Sequence, residues 1–168
     1  IAFLPHRMLG VDIRLTSKDD KLLDVLLDQI VGRVGKYVYG FDSDKLEEVI
    51  ANLFIKHNLT ISTAESCTAG MLAARLTDVA GSSTYFKGGS VCYSNELKIN
   101  DVGIKKDLID RYGAVSEEVA GALAKNIAQK NNTDIGIGIT GIAGPDGGTE
   151  KKPVGLVFVG IFYQNNLY

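Results

Sequence analysis

The stretch Thr63-Ala64-Glu65-Ser66-Cys67-Thr68-Ala69-Gly70 follows the apolar run Leu59 to Ile61. Ala69, Met71, Leu72, Ala73, Leu76 and Val79 then recur at steps of three and four. An apolar run of strand length followed by a helical period predicts a strand, a polar turn and a helix with one face on a sheet. Ser66 is thereby set near a helix start, where backbone N–H groups lack intrahelical partners. A turn of that kind holds an anion or stabilises charge developing on a carbonyl oxygen, and a hydroxyl in it can attack. An N-cap role for Ser66 or Thr68, worth about 1 kcal/mol, fits the same spacing.

With 168 residues, 45% of them hydrophobic, the chain can build one sizeable core or one domain with a small appendage. No apolar run approaches the roughly 20 residues of a membrane span, so no membrane partner is expected. The net charge is −2, from 18 basic and 20 acidic residues with the signs interspersed, which argues against nucleic acid as a partner. Cys67 and Cys92 have neither C-x-x-C spacing nor companions for a metal cage, so a reducing, cytoplasmic setting is expected and no metal. The chain opens on Ile1-Ala2-Phe3-Leu4 without a Met or a signal-peptide n-region, and reads as a fragment.

From the N-terminus, Val11, Ile13 and Leu15 alternate with polar residues as in a half-buried strand. Ser17, with Asp20 three residues on, is placed to cap a helix carrying Leu22, Leu23, Leu26, Leu27, Ile30 and Val31. Gly32 and Gly35 are expected to release the chain into a strand, Lys36 to Tyr39, so residues 1–41 read as a small strand, helix, strand unit. Gly32-Arg33-Val34-Gly35 matches the G-x-x-G loop of RNA-binding KH modules, and equally a helix C-cap.

After a boundary at Phe41-Asp42-Ser43, a helix is predicted from Leu46 to about Asn58, then the strand and turn before Ser66 and a helix closing at Gly81. A strand from Gly88 to Tyr93, a short helix from Ile104 to Tyr112, a longer one from Ser116, a strand from Asp134 to Thr140 and a last strand from Val154 to Tyr163 complete an alternating α/β pattern.

Gly136-Ile137-Gly138-Ile139-Thr140-Gly141 formally fits the dinucleotide fingerprint G-x-G-x-x-G. Its first two glycines lie inside a strand pattern and no helix can follow Gly144, Pro145, Gly147 and Gly148, so a Rossmann site is rejected. The segment Gly141 to Gly148 reads as a loop at a strand end that lets backbone approach a ligand, or as a plain surface turn. Cys92-Tyr93-Ser94-Asn95-Glu96-Leu97-Lys98 gathers a hydroxyl, an amide, a carboxylate and an ammonium beyond a strand. His6 and His57 lie far along the chain from that cluster. A serine without a histidine can use a lysine that has lost its proton in a dry site, which pairs Ser66 with Lys98; a solvated surface lysine is the alternative.

Taken in order, Thr63 to Gly70, Ala80-Gly81-Ser82-Ser83, Tyr93 to Lys98, Gly113-Ala114-Val115-Ser116 and Gly141 to Gly148 resemble the C-terminal domain of the CinA competence/damage-inducible family. The resemblance covers about residues 44–163, within a second domain read as residues 44–168. It implies a three-layer α/β/α domain with a mixed sheet, preceded over residues 1–41 by part of a small α+β KH-type linking domain. Ala69 stands where the family often has Gly. Family members also continue into a Gly-Asp-Arg segment and a closing helix absent here, so the resemblance implies a domain truncated at its C-terminal end.

The resemblance implies a nicotinamide mononucleotide deamidase that releases ammonia, needs no cofactor and functions in pyridine nucleotide recycling. Ser66 would attack the amide, Lys98 would act as base and Tyr93 would position them. Glu65, Cys67, Thr68, Gly70, Asn95, Thr140, Gly141, Gly144, Pro145, Gly147 and Gly148 would contact the substrate. A homo-oligomer, a dimer, is expected. The alternative expectation is a nucleotide-binding or regulatory module without turnover.

Overall fold

The computed structural model describes residues 1–6 and 10–168. The chain divides into two compact units, Ile1–Val49 and Ile50–Tyr168. In the first, β1 (Ala2–His6) pairs antiparallel with β2 (Gly10–Arg14), Phe3 opposite Ile13. His6 Nε2 meets Asp12 Oδ2 across the pair at 2.9 Å. Helix α1 (Asp20–Val34) is capped by Asp19, whose carboxylate accepts from the N–H groups of Lys21 and Leu22. The predicted cap, Ser17, instead accepts from the Asp19 N–H. Asp19 brings a full negative charge to the positive end of the helix, which a hydroxyl cannot do.

The expected strand at Lys36 to Tyr39 does not form. Gly32 lies inside α1, and Gly35 keeps a right-handed φ of −53° with its N–H still bonded to the Val31 carbonyl, so the helix tightens into a 3₁₀ turn, Gly35–Tyr37. The G-x-x-G of Gly32 to Gly35 is thus helix and cap rather than a loop.

Helix α2 (Leu46–His57) leads into the second unit, whose five strands run in the order β4 (Phe86–Val91), β3 (Ile61–Glu65), β5 (Ile135–Gly141), β6 (Val157–Tyr163), β7 (Asn166–Leu167). Strand β3 is parallel to both neighbours, while β6 and β7 are antiparallel additions. The sheet is therefore mixed, with helices on both faces.

Alternation along β3 separates two cores. Ile61 packs with Ala51, Phe54, Leu76 and Tyr85, beneath α2 and α3 (Met71–Thr77). Ala64 faces the other way, toward Cys92, Val102, Ile104, Ile109, Val119, Leu123 and Ile127, beneath α5 (Lys106–Tyr112) and α6 (Glu117–Asn131). Helix α6 lies unusually close to the sheet: a Cβ at Gly136 would stand 2.0 Å from the Ala124 carbonyl oxygen, and one at Gly138 2.2 Å from that of Ala120. The glycine pair that imitates a dinucleotide fingerprint is a packing notch for an alanine-lined helix.

Strand β3 begins two residues later than the apolar run suggests and extends through Ser62, Thr63 and Glu65, all buried. Helix α3 ends at Thr77, so Gly81, with φ of +83°, instead opens a 3₁₀ turn, Ser82–Thr84. No helix among the described residues is long and apolar enough to cross a membrane.

Candidate active site

The C-terminal end of β3 carries the centre of the site. The Ser66 N–H donates to the Ile139 carbonyl of β5 at 3.0 Å, and the Cys92 N–H donates to the Glu65 carbonyl at 2.9 Å. Ser66 therefore leaves the sheet between two flanking strand ends, the edge at which open α/β sheets present ligand sites.

The helix start predicted at Ser66 lies further on, because α3 begins only at Met71 after Ala69 and Gly70 take left-handed φ values of +50° and +96°. The helix-start amides are not free. Glu65, 1% exposed, accepts from the N–H groups of Gly70 at 3.1 Å, Leu72 at 3.0 Å and Ala73 at 2.8 Å. A carboxylate taken out of water needs such donors, and here the start of α3 supplies them. Glu65 is thus committed through both carboxylate oxygens to the start of α3, and Gly70 serves it through its amide.

The N–H groups of Cys67 and Thr68 remain. Both lie against the Cys67 sulfur and act to lower its pKa, although burial pushes the thiol up on balance. The Thr68 hydroxyl oxygen is buried and has no hydrogen-bond partner among the described residues.

Lys98 comes from α4 (Asn95–Asn100), a helix the sequence did not betray, capped by the Ser94 hydroxyl on the Leu97 N–H. Its side chain is 2% exposed, and its Nζ stands 2.9 Å from Ser66 Oγ, 2.9 Å from the Cys92 carbonyl oxygen and 3.1 Å from that of Tyr93. Burial lowers its pKa, an effect that Cys92 and then Cys67 oppose.

Carbonyl oxygens only accept, so two N–H bonds of the amine are committed to Cys92 and Tyr93. In the neutral amine the remaining corner, the lone pair, then faces Ser66 Oγ. Tyr93 enters through this carbonyl; its side chain is 66% exposed. Ser66 itself is 7% exposed.

The other expected contacts divide. Gly141 adjoins the turn, since a Cβ there would lie 3.0 Å from Cys67 Sγ. Thr140 is 1% exposed and donates its hydroxyl proton to the Ala114 carbonyl at 2.8 Å, which ties β5 to the α5–α6 turn. Asn95 opens α4 and is exposed. Gly144 and Gly148 pack against Val154, while Pro145 and Gly147 are exposed.

One residue of this loop escaped the sequence reading. Lys152 Nζ donates to the carbonyls of Tyr112 at 2.9 Å and Val115 at 2.6 Å, pinning the loop beside the turn that Thr140 also holds. No local signal distinguishes it from Lys151.

A family model described as the CinA C-terminal domain matches residues 43–168. A CinA-like protein of Dictyoglomus thermophilum is 46% identical over 162 residues, 95% of this chain and 39% of the relative. A protein of Desulforudis audaxviator described as a putative competence-damage inducible protein is 50% identical over 145 residues, 86% of this chain and 35% of its own length. The chain thus spans less than half of the curated relatives it matches.

Among solved structures, the competence/damage inducible protein CihA of Agrobacterium tumefaciens superposes with a TM-score of 0.72 at 36% identity, covering 78% of this chain and 80% of that one. A CinA superfamily protein of Escherichia coli gives a TM-score of 0.71 at 28% identity, covering 81% and 82%. With its mixed α/β sheet and this run of matches, the chain belongs to the CinA C-terminal domain family.

Proposed function

We propose that this domain is an amidohydrolase that converts nicotinamide mononucleotide to nicotinic acid mononucleotide and ammonia. The observation that carries the reading is the buried Lys98 amine 2.9 Å from Ser66 Oγ, with its other N–H bonds held by two carbonyls. Ser66 Oγ attacks the carboxamide carbon while its proton passes to the Lys98 lone pair. The negative charge that forms on the amide oxygen is met by the N–H groups of Cys67 and Thr68. Lys98 then returns the proton to the nitrogen, the C–N bond breaks and ammonia leaves. Water, deprotonated by Lys98, attacks the Ser66 ester, the tetrahedral species collapses as Lys98 returns that proton to Ser66 Oγ, and the acid formed releases its own proton to solvent as the carboxylate.

Burial supports this chemistry from two directions. It lowers the Lys98 pKa, which enriches the base form, and it raises that of Cys67, which keeps the neighbouring sulfur a thiol. The nicotinamide nucleotide itself rests on the family resemblance.

The test is ammonia release from nicotinamide mononucleotide by the full chain and by Ser66→Ala. The wild type is expected to turn over and the variant to lose at least about 10³-fold, in keeping with loss of a covalent nucleophile. Undiminished turnover in Ser66→Ala removes Ser66 from the reaction. Calorimetric affinity for the nucleotide with no ammonia released replaces the enzyme with a binding module.

A further inference from the structure

Glu65 precedes the proposed nucleophile, is almost fully buried, and directs both carboxylate oxygens at the backbone beyond the turn: Oε2 to the Gly70 and Leu72 N–H groups, Oε1 to that of Ala73. Among the N–H groups from Ser66 to Ala74, that of Ser66 is held by Ile139, Ala69 by Ser66, Met71 by Thr68 and Ala74 by Gly70. Glu65 takes three more, leaving Cys67 and Thr68. The turn between Glu65 and α3 contains two consecutive left-handed residues, Ala69 and Gly70. Ala69 is not a glycine, so its φ of +50° is held by surrounding structure rather than by intrinsic preference.

We propose that Glu65 is a positioning residue: by clamping the Gly70, Leu72 and Ala73 amides, it fixes the turn that aims Ser66 at Lys98 and holds in place the Cys67 and Thr68 amides, the pair left to meet the reacting oxygen. The clamp acts through the backbone and touches no substrate. It rests on the reading of Ser66 as nucleophile and goes beyond that reading by assigning the residue that holds the geometry.

Glu65→Gln keeps the size of the side chain but replaces one acceptor oxygen by an NH₂ group. Either the Ala73 amide or the Gly70 and Leu72 pair then faces a donor instead of an acceptor. Because the turn is no longer fully clamped, kcat should fall by about 10²-fold, the scale of one misplaced oxyanion donor, with KM within about threefold of wild type. A fluorophosphonate, which labels an activated serine without any amide substrate, should react with Ser66 more slowly by a similar factor. Glu65→Asp retains both oxygens on a shorter arm and should recover part of the labelling rate, whereas Glu65→Ala should not.

A Glu65→Gln enzyme with kcat and labelling rate within about twofold of wild type overturns the proposal, and so does a loss confined to KM, which would return Glu65 to substrate binding. Circular dichroism and thermal melts accompany each variant. If Glu65→Gln is unfolded at the assay temperature, the order Asp above Ala in labelling rate decides, and equal rates overturn the clamp. Wild type that the fluorophosphonate never labels and that releases no ammonia instead indicts Ser66 as nucleophile, and the clamp falls with it. Wild type that releases ammonia while Glu65→Gln matches it indicts the clamp alone.

Discussion

Replacing Lys98 separates its charge from its basicity. An ordinary lysine, with pKa 10.5, is neutral in only about 0.03% of molecules at pH 7, and every unit by which burial lowers that value multiplies the base form by about ten. Lys98→Arg keeps a cation, but a guanidinium with pKa above about 12 cannot take the Ser66 proton. Lys98→Met removes the amine and leaves the Cys92 and Tyr93 carbonyls without these donors, a cost of about 1–3 kcal/mol each that is offset by no longer burying an amine. Both variants should lose about 10²-fold to 10⁴-fold in kcat, the usual contribution of a positioned base.

The pH dependence follows from the same lowering. The proposed reaction needs the base form, so wild-type kcat/KM is expected to rise with pH through the depressed Lys98 pKa and level above it. Stability moves in the same direction. Between the depressed folded value and 10.5 the unfolded chain binds more protons than the folded one, so wild-type stability climbs across that window, and Lys98→Met flattens the climb. Ammonia release as a function of pH, paired with urea melts at the same pH values, reads both effects. Lys98→Arg with activity within tenfold of wild type would refute the base assignment and leave Lys98 only an electrostatic part.

Two further substitutions test the scaffold. Gly138→Ala puts a Cβ 2.2 Å from the Ala120 carbonyl oxygen and 2.5 Å from the Ala124 nitrogen, both backbone atoms of α6. It should cost about 3 kcal/mol or more in a urea melt, and a loss below 1 kcal/mol would deny the close helix–sheet approach. Thr140→Val strands the Ala114 carbonyl and should cost about 1–3 kcal/mol with KM for the nucleotide unchanged; a rise in KM without loss of stability would restore Thr140 as a ligand.

The alternating architecture was legible because the apolar periods of α2, α6, β5 and β6 survive in the sequence without interference. The details failed where polarity is internal rather than exposed. Ser62 and Glu65 look like turn residues, yet Ser62 Oγ finds the Ile127 carbonyl at 3.1 Å and Glu65 finds three amides, so a central strand absorbs both. Helix α4 hid because six residues, Asn95 to Asn100, are too few for a visible stripe and its cap, Ser94, reads equally well as a loop residue.

The pairing of Ser66 with Lys98 was legible as chemistry, a serine near a helix and a lysine near a strand end, but its distance of 2.9 Å depends on β3 and β4 lying parallel and adjacent. Conversely, Thr140 belonged to a plausible strand-end set, and only the fold reveals that its hydroxyl proton goes to the Ala114 carbonyl. Lys152 was invisible for the same reason: its partners are carbonyls of a distant turn.

The proposed reaction passes through a covalent bond between Ser66 Oγ and the substrate acyl carbon. Mixing enzyme in excess with nicotinamide mononucleotide, quenching in acid within the first turnover and mapping peptides by mass spectrometry looks for that bond directly. The expected product is the peptide containing Ser66 and Cys67 carrying the mass of the nucleotide less ammonia, with fragmentation placing it on Ser66. The same mass on Cys67, or a full turnover of ammonia with Ser66 unmodified throughout, would contradict it.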